Sequence, residues 1–184
     1  MPALMQDLAQ AGGMAALALR FLILTAARSG EARGAVWSEI DMAAGVWTVP
    51  AERMKAGREH RVPMSPAALE ILRLVMPLRD RRHGDLVFPG GVIGKPLSDV
   101  AVSKALGREG ATVHGMRSAF RQWAAEETQF PAEAAELALA HTEKNQVVRA
   151  YQRSDLFDVR RPMMDAWAAH CMGTVSPHEK TSKK

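Results

Sequence analysis

Apolar residues crowd together over positions 14–27, interrupted only by Arg20 and Thr25. A stretch of that length and density predicts a helix buried on most sides, ending near Gly30. Two short β-like runs follow, 35–40 and 46–49, with a turn-like segment at 41–45 between them. A third run, 60–64, comes after a loop centred on Gly57. Trp37, Val46, Trp47, Val49 and Val62 favour strands. These runs predict a small three-stranded antiparallel sheet with Lys55 near its second turn.

Helical signals dominate the remainder. Ser65 reads as an N-cap with Pro66 at the first helical position, opening a helix to about Val75, where Pro77 intervenes. Residues 86–91 read as a short extended piece and a loop. Ser98 caps a helix to about Leu106, and Gly107 and Gly110 break the chain. Thr112 caps a helix that carries His114 and Arg117 and runs to about Glu127. Pro131 starts another, to about Ala140. A short helix is expected over 143–150, directly before Tyr151, and a final amphipathic helix over 156–171. The polar residues 173–184 are expected to be a disordered tail. The pattern as a whole is mainly helical α+β, one domain over 1–172.

Composition narrows the class. The chain has 184 residues, with 47% hydrophobic, 24% charged and 5% aromatic. That is enough for one well-formed core, and it excludes wholesale disorder. The net charge is +4 and the pI about 9.6. A mild basic excess is compatible with a polyanionic partner without proving one. Charge concentrates in the run holding Arg53, Lys55, Arg58 and Arg61 and in the cluster Arg79, Arg81, Arg82. Read alone, each is a solvated loop. Cys171 is the single cysteine, so an intramolecular disulfide and a cysteine-based zinc site are excluded. The 14–27 stretch is too short to span a bilayer and no start resembles a secretory signal, so a soluble cytoplasmic protein without membrane contact is expected.

The chemistry-bearing residues stand in a telling order: Arg28 with Glu31, then Lys55, His114 with Arg117, His141 and Tyr151. Attack on a phosphodiester by a side chain needs a nucleophile, cationic donors for the non-bridging oxygens and an acid for the leaving oxygen. Arginine grips phosphate through two parallel hydrogen bonds and stays charged. His114 and Arg117 are spaced to share one helix face, and a helix start adds free N–H groups for an anion. Lys55, in a turn, has the reach to protonate a leaving oxygen. Each of these residues alone reads more simply as a helix-end arginine, a hairpin lysine or a helix C-terminal histidine. Tyr151, the single tyrosine, follows His141 by ten residues.

On these residues the chain resembles the tyrosine recombinase (phage integrase) family, and within it the integrases of prophages and genomic islands. Residues 22–31, ending Arg28-Ser-Gly-Glu31, look like the first-arginine motif. Residues 47–55 look like the β-hairpin lysine. Residues 113–121 are similar to the His-x-x-Arg box, and His141 and Tyr151 to the terminal histidine and nucleophile. The match covers roughly residues 10–172.

The resemblance implies the catalytic-domain fold of that family. It also implies attack by Tyr151 to give a 3′-phosphotyrosyl bond and a free 5′ hydroxyl. Arg28, Arg117, His114 and His141 would stabilise the pentacoordinate state, Lys55 would be the general acid, and Glu31 would support the site. Arg53, Arg58 and Arg61 are the expected DNA-binding residues. No metal or cofactor is implied; the partner is double-stranded DNA carrying attachment sites, engaged by a homotetramer. Integrases carry further DNA-binding domains ahead of this one, which makes the chain an isolated catalytic fragment or a degenerate remnant. Their C-terminal segment packs on a neighbouring subunit, so 156–171 is expected either to do that or to fold back. Three rivals remain: a type IB topoisomerase-like enzyme, a DNA-binding module that does not cut, and an unrelated helical protein with coincidental motifs.

Overall fold

The computed structural model describes residues 1–141 and 155–174. Among the described residues the order is α1 (Pro2–Ala11), α2 (Gly13–Thr25), α3 (Ser29–Arg33), β1 (Ile40–Asp41), β2 (Val46–Val49), β3 (His60–Pro63), α4 (Pro66–Val75), α5 (Asp99–Leu106), α6 (Gly115–Glu127), α7 (Ala132–Ala138) and α8 (Phe157–Met172). This is the α+β, mainly helical architecture with one three-stranded antiparallel sheet, ordered β1-β2-β3.

Helix α2 is the axis. Leu19, Phe21, Leu22, Ile23 and Leu24 are all essentially inaccessible, because α1, α4, α5 and α8 all pack against it. A helix apolar all round is stable only in such a position. Phe21 packs, with tilted rings, at 5.3 Å against Trp47 of β2 and 5.4 Å against Phe88, which seats the sheet on this axis. A second aromatic cluster, Phe120, Trp123 and Trp167, joins α6 to α8 with ring centroids 5.1–6.0 Å apart. Trp167 Nε1 donates to the Ile23 carbonyl at 2.7 Å, so the last helix is tied to α2.

The sheet follows the period-two logic of its strands. Trp47 and Val49 point inward and alternate with half-buried Val46 and Thr48. β2 pairs with β3 in the register Trp47↔Val62, Thr48↔Arg61 and Val49↔His60. The β1–β2 turn is held by Asp41 Oδ1, which accepts from Ala43 N and Ala44 N, and it closes through Gly45 at φ 64. The predicted caps are present: Ser65 Oγ accepts from Ala68 N at 3.3 Å, and Ser98 Oγ from Ala101 N at 3.1 Å.

Four expectations need correction. The first strand, expected over 35–40, shrinks to Ile40–Asp41 behind a 3₁₀ turn, Trp37–Glu39. Residues 35–37 bond to residues 85 and 87 rather than to β2, through Trp37 N to Asp85 O at 2.9 Å and Val87 N to Ala35 O at 2.8 Å. Helix α1, with Leu4, Met5 and Leu8 buried against α2, had no place in the sequence reading. The buried helix also stops five residues short of Gly30, at Thr25, and the short helix α3 carries the chain past Gly30. Finally, α8 is buried well beyond one stripe. Met163, Met164, Ala166, Trp167, Ala168 and Cys171 are all inaccessible, and the helix packs on α1, α2, β3, α4 and α7 of its own chain. Of the two fates expected for 156–171, folding back is the one observed. The helix expected over 143–150, Tyr151, and residues 175–184 of the tail lie outside the described residues.

Candidate active site

Helix α2 ends with Ala26 in the left-handed conformation, φ 51. A non-glycine residue there is strained by about 1–3 kcal/mol and persists only when its surroundings over-determine it. The surroundings here are Arg117. Its Nη1 donates to the Ala26 carbonyl at 2.5 Å and its Nη2 to Leu139 O at 2.6 Å. Arg117 reaches inward from the first turn of α6 and is 5% exposed. Burial, then the neighbouring Arg28, pull its pKa below the ordinary arginine value to about 10, against an opposing pull from Glu31. It therefore stays charged at neutral pH.

Arg28 follows directly, at the start of α3. Glu31 orients it twice, accepting from the Arg28 backbone N at 2.9 Å and from Nη1 at 2.8 Å. Glu31 is itself 5% exposed, while the Arg28 side chain remains partly accessible. Arg28 Nη2 lies 3.4 Å from the Ala140 carbonyl. Two guanidiniums brought this close, with one carboxylate between them, leave a net positive charge that an anion would neutralise.

His114 stands exposed at the N-cap position of α6, without a side-chain capping bond. Thr112 Oγ1 accepts from Gly115 N at 3.0 Å and fixes the turn that presents His114 beside Arg117. Lys55 is exposed in the β2–β3 connection, next to Met54, whose side chain is buried and anchors the turn. Arg28, Lys55, His114 and Arg117 line a single cleft of about 510 Å³, joined by Ser29, Asp99, Ser103 and Thr112.

His141 touches this group from behind. Its Nε2 is 3.4 Å from Arg117 Nη2 and its Nδ1 2.6 Å from Glu136 Oε2. These partners assign the proton to Nδ1 and leave Nε2 to accept. Burial pushes the Glu136 carboxyl up, but hydrogen bonds from His141 and Arg121 outweigh it and hold the group below its usual range. Five of the six expected catalytic side chains are thus brought together; the sixth, Tyr151, lies outside the described residues.

The expected DNA-binding residues divide. Arg58 is exposed in the hairpin loop. Arg53 turns inward, where Glu39 and the Glu31 carbonyl engage its terminal nitrogens. Glu39 also accepts from Trp47 Nε1 at 3.0 Å. Arg53 is therefore a tie between the hairpin and α3, with its fork already occupied. Arg61 is half-exposed and bonds to Asp155 through Nε and Nη2 at 2.9–3.1 Å.

Sequence reasoning missed several groups here. Glu136 and Glu39 hold site residues through spacings that no periodic rule marks. Asp99, a carboxylate in a cationic cleft, accepts from Ser29 Oγ at 2.5 Å. His60 sits in what reads as a basic run, yet burial first, then Arg160 and Arg28, lower its pKa to about 4 against opposing pulls from Glu31 and the Ala138 carbonyl. It is neutral at physiological pH. Among the described residues no cluster of His, Cys, Asp or Glu could hold a metal ion, and no helix is long and apolar enough to cross a membrane.

Comparison with known proteins points the same way as the cleft. The model of the phage integrase family matches residues 1–156. Prophage integrase IntA of Escherichia coli K12 is 44% identical over 151 residues, covering 79% of this chain and 36% of that protein. Prophage integrase IntZ of the same organism is 37% identical over 172 residues, 91% of this chain and 42% of that protein. The integrase of Enterobacteria phage P4 is 33% identical over 175 residues, 84% and 39% respectively. The chain spans about two fifths of the length of these curated relatives. No solved structure matches. With a family match over most of its length and relatives well above 30% identity, the chain belongs to the phage integrase family.

Proposed function

We propose that the chain is the catalytic part of a site-specific DNA recombinase that cuts and rejoins strands through a 3′-phosphotyrosyl intermediate. The observation that carries this reading is the single cleft lined by Arg28, Lys55, His114 and Arg117, with His141 against Arg117. The scissile phosphate lies between the two guanidiniums, whose free N–H groups take up the charge that grows on its non-bridging oxygens. Their fixed partners, Glu31 for Arg28 and two carbonyls for Arg117, supply the preorganisation that makes such donors effective.

Tyr151 attacks phosphorus as its phenol gives its proton to water. The bond to the 5′ oxygen breaks, and Lys55 protonates that oxygen from the hairpin. His114 adds a hydrogen bond to the phosphate, and His141, its Nδ1 held by Glu136, braces Arg117 through Nε2. The phosphotyrosine conserves the bond, so religation needs neither nucleotide nor metal. The partner is double-stranded DNA at attachment sites, and a homotetramer pairs two duplexes. The named relatives are prophage and phage integrases, which supports integration or excision of a mobile element as the outcome.

The test is covalent trapping. The 184-residue chain is incubated with a library of nicked duplexes bearing a randomised core, and protein-linked DNA is recovered under denaturing conditions and sequenced. A discrete sequence should be trapped, and Tyr151→Phe should trap none. Binding to the same library without any covalent product would replace this reading with that of a DNA-binding remnant.

A further inference from the structure

The first described residue after the segment holding Tyr151 is Asp155, and it is tied down unusually firmly. Arg61 of β3 grips its carboxylate with both Nε and Nη2. Arg160, 1% exposed, donates from Nε to the Asp155 carbonyl at 2.7 Å and from Nη2 to its carboxylate at 3.0 Å. The remaining nitrogen, Nη1, donates to the Arg61 carbonyl at 2.8 Å. The Phe157 ring lies under the guanidiniums of Arg61 and Arg160, at 4.5 and 5.6 Å. Between these anchors Leu156 is held left-handed, φ 49.

This is far more than a helix start requires. Asp155 Oδ1 already accepts from Phe157 N at 3.2 Å, and a cap alone stabilises a helix by about 1 kcal/mol. Burying a guanidinium carries a large desolvation penalty and is weak evidence for stability; fixing one geometry is its better-attested use. The geometry fixed here joins two elements. Arg61 pairs with Thr48 on the lysine hairpin. Asp155 is four residues past Tyr151 in the sequence. The neighbouring His60 lies within electrostatic reach of Arg160 as well as of Glu31 and Arg28.

We propose that Asp155, Arg61 and Arg160 form a positioning clamp that sets where Tyr151 stands relative to the Lys55 hairpin. Its purpose rests on the reading of Tyr151 as nucleophile. Tyr151 is the single tyrosine, so 3-fluorotyrosine incorporation yields one ¹⁹F resonance that reports its surroundings without needing activity. Asp155→Asn and Arg61→Gln should move that line towards its position in the urea-unfolded chain, and Asp155→Glu should restore it in part. Single-turnover cleavage of the trapped sequence should fall about 10- to 100-fold in Asp155→Asn, the cost of a misplacement near 1 Å. DNA affinity of that variant should stay within about twofold. An unmoved line in Asp155→Asn that melts normally overturns the clamp. A moved line in a protein whose wild type forms no covalent complex sustains the clamp and removes the nucleophile reading instead.

Discussion

Arg117→Ala separates the cost of building the cleft from its use. The arginine donates to two inward-facing carbonyls, Ala26 and Leu139. Leaving both unmet costs about 1–3 kcal/mol each, so about 2–6 kcal/mol together. Set against that is the penalty for holding the cation. Its pKa falls from the ordinary arginine value to about 10, chiefly through burial; at about 1.4 kcal/mol per unit, deleting the charge returns about 3 kcal/mol. The net loss of stability is then under about 3 kcal/mol. For a domain of this size that lowers Tm by less than about 12 °C. Cleavage should fall about 100- to 1000-fold, as when one preorganised donor to a transition state is removed. The assays are thermal denaturation by circular dichroism and single-turnover formation of the covalent complex. A fall in Tm beyond about 20 °C, or cleavage within tenfold of wild type, would refute the reasoning, since Arg117 would then be a structural strut rather than a poised donor.

Acid should destabilise the fold through His60. Its folded pKa, about 4, lies below the ordinary 6.5 because burial disfavours the charged ring. Between those values the unfolded chain binds more protons, so stability rises with pH across that window, by up to about 3 kcal/mol; denaturant titrations from pH 4 to 7 should show the slope, and a His60→Gln variant that keeps it would contradict this origin. Arg53 and Arg58 should behave oppositely although they lie in one basic run. Arg53→Ala strands the 8%-exposed Glu39 carboxylate and should cost about 3–5 kcal/mol in urea denaturation with little change in the salt dependence of DNA binding. Arg58→Ala should leave stability alone and reduce the salt slope of binding by about one; the reverse outcome would reassign both. Lys55→Ala should slow cleavage of ordinary DNA far more than of DNA with sulfur at the 5′ leaving position, and equal losses on both substrates would remove Lys55 as the acid.

Local signals carried most of the fold. Ser65 and Ser98 announce their helix starts because capping is a property of a few adjacent residues, and the alternation at Val46–Val49 likewise defines a strand by itself; the start expected at Thr112 falls instead at His114. Helix α1 was illegible because Leu4, Met5 and Leu8 become meaningful only against α2, and the first strand was over-read because Trp37 spends its N–H on Asp85, far along the chain. The same division holds in the cleft. Arg28, Lys55, His114, Arg117 and His141 were legible as an ordered set. The groups that fix them are not: Glu136 under His141, Glu39 under Arg53, and the carbonyls of Ala26 and Leu139 under Arg117 are partners chosen by tertiary packing. Arg53 shows the converse, since a basic run says nothing about which of its members faces inward.

The carbonyls at the end of α2 have a consequence for how the molecule is made. The Ile23 carbonyl, which already accepts from Ala26 N at 3.2 Å, and the Ala26 carbonyl gain side-chain partners only from helices synthesised much later, Trp167 and Arg117, the former 144 residues downstream. At roughly 5–20 residues per second, a ribosome supplies that tryptophan about 7–30 s after the isoleucine. Throughout that interval the most apolar helix of the chain has its C-terminal end incomplete and its α8-facing side bare, a form prone to association with other nascent chains. Variants that weaken α8 should therefore lower the soluble yield more than their effect on the melting temperature of the finished protein would suggest.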